Sequence, residues 1–258
     1  MAASFLGTLR KVLFGSKIND ELQAIKRHIS GPVKKAIERG DYNFDKGKVV
    51  EGAVIGLADI MSSTAISNAV DLESDFHLKQ EFLRAAARRA EQYEVSILNH
   101  TGDGFLFIAN DQSAENWQKQ LILFSQSLIS DFNLLLQQPN MKSGQQVESG
   151  LRFGVSCGRI MLGCLGASPI QFTAVGPDVN LAARLCTTAE KNEVVFSGAA
   201  WRKMNARDSY EAHRISEYAF KGFKSATVGV HLSSVCLNSG RSLSQVETLL
   251  LNSFSLVA

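Results

Sequence analysis

No stretch of this chain is long and apolar enough to span a bilayer, and its N-terminus lacks the extended apolar core and small-residue cleavage site of a secretory signal. The expectation is a cytoplasmic protein without a transmembrane segment. The four cysteines, Cys157, Cys164, Cys186 and Cys236, form no C-x-x-C pair, and no histidine stands at zinc-ligand spacing from them. That argues against a zinc site and for buried thiols in a reducing compartment. The net charge is only +2, so bulk electrostatics give no case for nucleic-acid binding. There is no internal repeat and no low-complexity tract. What is present, 45% hydrophobic and 20% charged residues over 258 positions, suits one large globular domain with extensions.

Residues 1–48 read as a helical leader. The segment SFLGTLRKVLFG places Phe5, Leu6, Leu9, Val12 and Leu13 on one helical face, with Arg10 and Lys11 off it. Two basic residues are a weak membrane-surface signal, so this helix is expected to pack on the domain or on a partner subunit. NDELQAIKRHI and PVKKAIERG read as two more short helices, separated by Gly31-Pro32. Residues 49–235 form the central domain, and 236–258 a Ser-rich tail with a short apolar helix, VETLLLNSF.

The central domain alternates between periods. GAVIGLAD (52–59) reads as a buried strand, and 65–92 as one long helix. EVSILNH (94–100) and GFLFIA (104–109) read as strands joined by the tight turn TGDG. An amphipathic helix over 113–137, a polar loop and a strand over 151–158 follow. The order β-α-β-β-α-β is the ferredoxin-like split βαβ arrangement, an α+β fold. In it the first and third strands are antiparallel neighbours at the sheet centre, which brings the second hairpin beside the exit of the first strand. Asp59 sits at that exit and Asp103 in that hairpin, so the two should face each other. Beyond this core the sequence predicts a Gly-rich turn, a short strand at 172–175, a helix at 178–189 and a strand at 193–197. A short helix near Trp201 and strands at 210–220 and 227–234 complete it.

The residue types point to phosphoryl transfer. Two aspartates that converge can share hard divalent cations, Mg²⁺ or Mn²⁺, with the backbone carbonyl of Ile60 as an additional ligand. Ser62, Ser63 and Thr64 open a helix, where backbone N–H groups and hydroxyls favour a phosphate; capping by the same side chains is compatible with that. Asn180 and Arg184, at i and i+4, share a helical face while Leu181, Ala182 and Leu185 are free to pack inward. The arginine fork suits a phosphoryl oxygen. Alone, N-x-x-x-R would describe a solvated helix face; its meaning comes from the set.

LADIMSST, HTGDGFLFIA, GVSCGRIMLGCLG, VGPDVNLAARL and FKGF, in this order, resemble the motifs of the class III nucleotidyl cyclases, the adenylate/guanylate cyclase catalytic domain family, across roughly residues 50–233. The resemblance implies the class III cyclase fold and conversion of a nucleoside triphosphate to a 3′,5′-cyclic nucleotide and pyrophosphate. It implies two divalent metal ions per site, held by Asp59 and Asp103. It implies ribose orientation by Asn180, transition-state stabilisation by Arg184, and triphosphate contacts from Lys221 and Arg159. The third motif implies a glycine-rich strand-turn-strand. It also implies a head-to-tail homodimer in which one protomer gives the aspartates and the other the asparagine and arginine. Two positions depart from the purine pattern. Asn99 stands where adenylate cyclases of the family usually carry a lysine, and Thr173 occupies the partner base-reading position. The glutamate of a guanine reader is absent, which ranks GTP lowest. Ser62 stands where glycine is common. A short stand-alone cyclase with such base readers is similar to the bacterial antiphage pyrimidine cyclases of the Pycsar type. That similarity implies UTP as substrate, cyclic UMP as product and a separate effector protein that reads it. An adenylate cyclase is the alternative within the family, and a catalytically silent dimeric scaffold or nucleotide sensor the alternative outside it.

Overall fold

The computed structural model describes residues 47–109, 117–141, 146–165, 171–204, 214–223 and 225–233. The expected leader helices, the first turn of the 113–137 helix and the tail helix lie outside these residues.

The elements in chain order are β1 (Lys48–Met61), α1 (Ser63–Ala69), α2 (Leu72–Gln92), β2 (Ser96–His100), β3 (Gly104–Ile108) and α3 (Trp117–Leu136). After a 3-10 turn come β4 (Gly150–Leu165), β5 (Gln171–Val175), α4 (Pro177–Thr188) and β6 (Glu193–Ser197). Then follow α5 (Gly198–Lys203), β7 (Arg214–Tyr218) and β8 (Thr227–Ser233). One sheet runs in the order β2-β3-β1-β4-β6-β8-β7, with β5 folded back on β4. The β2-β3-β1-β4 portion is the expected split βαβ core, with β1 antiparallel to both β3 and β4.

Side-chain alternation divides the core between the two faces of the sheet. On one face Val54, Ala58, Phe105, Phe107 and Phe153 meet α2, α3 and α5, with the rings of Phe82, Phe105, Phe107, Phe124 and Phe132 in mutual contact. On the other, Ile55, Leu106, Ile108 and Ile160 meet Phe172 of β5 and Ala182 of α4. Asp59 alternates onto this second face, as do Arg152 and Gly154, so the α4 face carries the polar groups considered below.

Three features differ from the sequence expectation. The helix expected over 65–92 is two helices, because Asp71 is extended (φ −70°, ψ 161°) and caps α2, its carboxylate accepting from the Ser74 backbone N–H at 2.8 Å and the Ser74 hydroxyl at 2.9 Å. Helical periodicity runs straight across this cap signal. β1 is longer than expected, as Lys48, Val49 and Val50 before the expected run and Ile60 and Met61 after it also pair with β4. The glycine-rich segment 158–165 is not a turn but the continuation of β4. Its glycines, with Gly154, admit close neighbours: a Cβ on Gly154 would lie 2.1 Å from the Ala182 carbonyl oxygen, and one on Gly158 would lie 2.0 Å from Asp178 Oδ2. The segment reads as a turn in sequence, but Gly154 and Gly158 serve the seating of α4, while Gly163 admits the backbone of Gly47.

Candidate active site

Asp59 forms the last pair of the β1–β3 ladder, opposite Gly104, so Asp103 comes directly beside it at the mouth of the hairpin. The approach depends on glycine: a Cβ on Gly104 would lie 2.3 Å from the Ala58 carbonyl oxygen and 3.2 Å from Asp59 Oδ1. Gly102, at φ +73°, makes the turn. Ile60 lies one residue past this last pair, where β3 no longer accompanies β1. The two sequence-predicted acidic residues are therefore brought together as the topology requires.

Across β1–β4, Asp59 pairs with Arg152. The guanidinium donates to Asp59 Oδ2 from Nε at 3.0 Å and from a terminal nitrogen at 2.6 Å. Burial pushes the Asp59 carboxyl above its ordinary pKa; the Arg152 hydrogen bonds and charge oppose this, and the charge of Asp103 adds to it. Oδ2 is thus committed to Arg152, while Oδ1 faces the hairpin. Sequence reasoning missed Arg152. The available signal was a charged residue inside the buried run LRFGV, between Leu151 and Phe153, which are both fully buried. Arg159 lies elsewhere. It is seven residues along β4, roughly 20 Å from Arg152 at strand rise, exposed and ion-paired with Glu51 at 2.8 Å.

Ser62 begins α1 in the left-handed conformation (φ 59°, ψ 28°) and makes no side-chain capping bond. Its hydroxyl therefore does not serve the cap role that the sequence allowed. The Ser63 carbonyl accepts from the Ser67 hydroxyl at 3.0 Å, and Thr64 is exposed.

Asn180 and Arg184 share the exposed face of α4, while Ala182, Leu185 and Cys186 are buried against the sheet. Leu181, expected inward, is half-buried and packs, as Tyr218 and Phe220 do, against the buried cluster of Leu185, Ala189 and Val195. At the helix start, Pro177 sits in the first turn, and the Asp178 carboxylate accepts from the Ser156 hydroxyl at 3.0 Å. Lys221 is exposed in a turn closed by Phe223 N–H donating to the Phe220 carbonyl at 3.1 Å, with Gly222 at φ +94°. Phe220 belongs to the cluster beside α4, so the turn carries Lys221 next to the helix of Arg184. On the hairpin side, the buried Thr173 hydroxyl donates to Asn99 Oδ1 at 3.4 Å. Among the described residues no hydrogen bond or ion pair links Asn180, Arg184 or Lys221 to Asp59 or Asp103.

The donor set suits a hard divalent cation. Two carboxylates meet where the β1–β3 ladder ends, and their mutual repulsion is one an ion would relieve. Among the described residues no third acidic, histidine or cysteine side chain joins them, so further ligands would come from backbone, water or substrate phosphate.

The model of the family described as adenylate and guanylate cyclase catalytic domain matches residues 47–234. Receptor-type guanylate cyclase gcy-7 of Caenorhabditis elegans is 21% identical over 67% of this chain, which spans only 15% of that protein's length. The crystal structure of the guanylyl cyclase Cya2 superimposes with a TM-score of 0.62 at 17% identity, covering 72% of this chain and 93% of that one. That of the adenylyl cyclase CyaB from P. aeruginosa gives 0.59 at 20% identity, covering 72% and 96%. At such identities the superpositions establish the fold. No helix among the described residues is long and apolar enough to cross a membrane.

Proposed function

This chain belongs to the adenylate and guanylate cyclase catalytic domain family, and on that premise we propose that it is a cytoplasmic homodimeric cyclase that converts UTP to cyclic UMP and pyrophosphate, as an antiphage signal read by a separate effector. The observation that carries the cyclase reading is the convergence of Asp59 and Asp103 at one strand end, with Arg152 on Asp59.

Asp59, Asp103 and the Ile60 carbonyl would hold two divalent ions. When bound, such ions lower the pKa of the ribose 3′-hydroxyl and neutralise the leaving phosphates. Asn180 orients the ribose, so that its 3′-oxygen lies in line with the α-phosphorus. Arg184 donates to the charge that grows on the phosphoryl oxygens in the transition state. Lys221 and the Ser62–Thr64 segment hold the β- and γ-phosphates. Arg152, beside the metal pair, holds Asp59 in place, and Arg159 is a further candidate contact for the triphosphate. Because Asn180, Arg184 and Lys221 are exposed and unlinked to the aspartates, each site is completed by a second copy in a two-fold pair.

The Asn99–Thr173 contact supports the base assignment. With Oδ1 occupied by the Thr173 hydroxyl, Asn99 presents its amide hydrogens and Thr173 an acceptor oxygen. That pattern fits O4 and N3–H of uracil. It also fits N1 and the amino group of adenine, so adenylate cyclase is the second reading. A silent scaffold has no chemical need for the whole set. The test is incubation of purified protein with Mn²⁺ and each of ATP, GTP, CTP and UTP, with product identification by mass. Cyclic UMP is expected from UTP. Cyclic AMP alone would replace the base assignment, and no cyclic product from any triphosphate would contradict the cyclase reading.

A further inference from the structure

A buried polar cluster that the proposed reaction does not use lies at the C-terminal end of α4. It joins Glu193 of β6, His231 of β8, and Arg214 and Tyr218 of β7. His231 has no solvent exposure, and Glu193 almost none. His231 Nδ1 lies 3.1 Å from Glu193 Oε2, and Nε2 lies 2.9 Å from the Tyr218 hydroxyl. A carboxylate only accepts, so Nδ1 carries the proton and donates to Glu193. Arg214 approaches the same Nδ1 at 3.1 Å, but a guanidinium only donates; its acceptor is Glu190, also at 3.1 Å. Nε2 is then free to accept from Tyr218. Glu193 takes a second bond from the Glu190 backbone N–H at 2.8 Å.

Every buried member is thus satisfied, yet apolar side chains of similar volume would stabilise this region as well or better. What the cluster adds is direction. It fixes the Tyr218 hydroxyl, and the Tyr218 ring stacks on Phe220 with centroids 5.4 Å apart and planes 13° from parallel. Tyr218 and Phe220 pack against the buried cluster of Leu185, Ala189 and Val195, as does Leu181; Leu181 and Leu185 are the residues that follow Asn180 and Arg184 on α4. Phe220 opens the turn on which Lys221 stands.

We propose that His231 is a positioning residue for triphosphate binding: by holding Tyr218 it sets the Lys221 turn in place against the helix that carries Arg184. The proposal rests on the reading of Lys221 as a triphosphate contact. His231 itself touches no substrate.

The test is a double-mutant cycle on the full chain, with the Mn²⁺ complexes of UTP and ATP as probes and amide exchange at Phe223 as a second readout. Tyr218→Phe removes only the hydroxyl, and His231→Phe removes both ring nitrogens. Each is expected to raise KM about tenfold with kcat within about twofold, and in a Lys221→Ala background to raise KM by less than about twofold. Exchange of the Phe223 amide should quicken about tenfold in both variants while β6 amides are unchanged. If His231→Phe does not fold, Tyr218→Phe carries the cycle alone. Equal KM effects in both backgrounds, or a Lys221→Ala protein with unchanged KM, would overturn the proposal. If the unmutated protein forms no cyclic product, the cyclase reading fails separately, and Phe223 exchange decides whether His231 orders the turn.

Discussion

Arg152 stands opposite Asp59 in the β1–β4 ladder and holds one carboxylate oxygen with two of its nitrogens, at 3.0 and 2.6 Å. The ion pair lies beneath the surface, with side-chain exposures of 25% and 21%. Arg152→Ala leaves Asp59 partly desolvated and without a counter-charge. We expect unfolding free energy in urea to fall by about 1–3 kcal/mol and cyclisation to fall at least about a hundredfold, with Arg152→Lys retaining part of both. Wild-type turnover in Arg152→Ala would remove this arginine from the site.

Ser62 adopts a left-handed backbone with no capping bond in return. Ser62→Gly should therefore raise stability by about 0.5–1 kcal/mol, the strain relieved less the entropy of the more flexible unfolded chain. A urea midpoint that does not move, or that falls, would show that the Ser62 hydroxyl contributes more than the backbone costs.

Asn99 and Thr173 contact each other directly. Asn99→Ala should reduce UTP turnover more than it reduces metal binding, and Asn99→Lys should shift preference toward ATP. An unmutated protein that prefers ATP by tenfold or more in kcat/KM, on the order of 1.4 kcal/mol, contradicts the pyrimidine assignment and leaves the metal and arginine assignments standing.

Glu193 gives the pH dependence. Burial raises its carboxyl pKa, but hydrogen bonds from His231 and the Glu190 N–H, with the charge of Arg214, outweigh burial and hold it below its ordinary 4.5. A pKa lower in the folded than in the unfolded state means that Glu193 contributes stability above the unfolded value, and that this is lost as pH falls through the folded one. Between pH 6 and pH 3 the wild type should lose more stability than Glu193→Gln. Parallel curves would place the acid sensitivity elsewhere.

The order of strands, and with it the meeting of Asp59 and Asp103, was legible because β-branched runs and the TGDG turn fix the split βαβ core locally. Asn180 and Arg184 were legible as a helical face because Ala182 and Leu185 mark the opposite one. Arg152 was not, since partnership across a ladder depends on register, which no local pattern displays. The extension of β4 through Gly158 and Gly163 was hidden for a related reason: Gly158 answers to Asp178 at the start of α4 and Gly163 to the backbone of Gly47, contacts distant in sequence. The His231–Glu193–Tyr218 cluster joins three strands through single polar residues, each unremarked within its own segment.

The central claim is a cyclase whose site is divided between two copies of this chain. Asp59→Ala, Asp103→Ala and Arg184→Ala should each be folded, dimeric and inactive. The most direct measurement mixes Asp59→Ala with Arg184→Ala protein, allows subunit exchange, and assays cyclic nucleotide formation. With equal amounts and free exchange, about half the dimers are mixed and each has one complete site of two, so about a quarter of wild-type activity should return. No recovery despite demonstrated exchange would contradict the account.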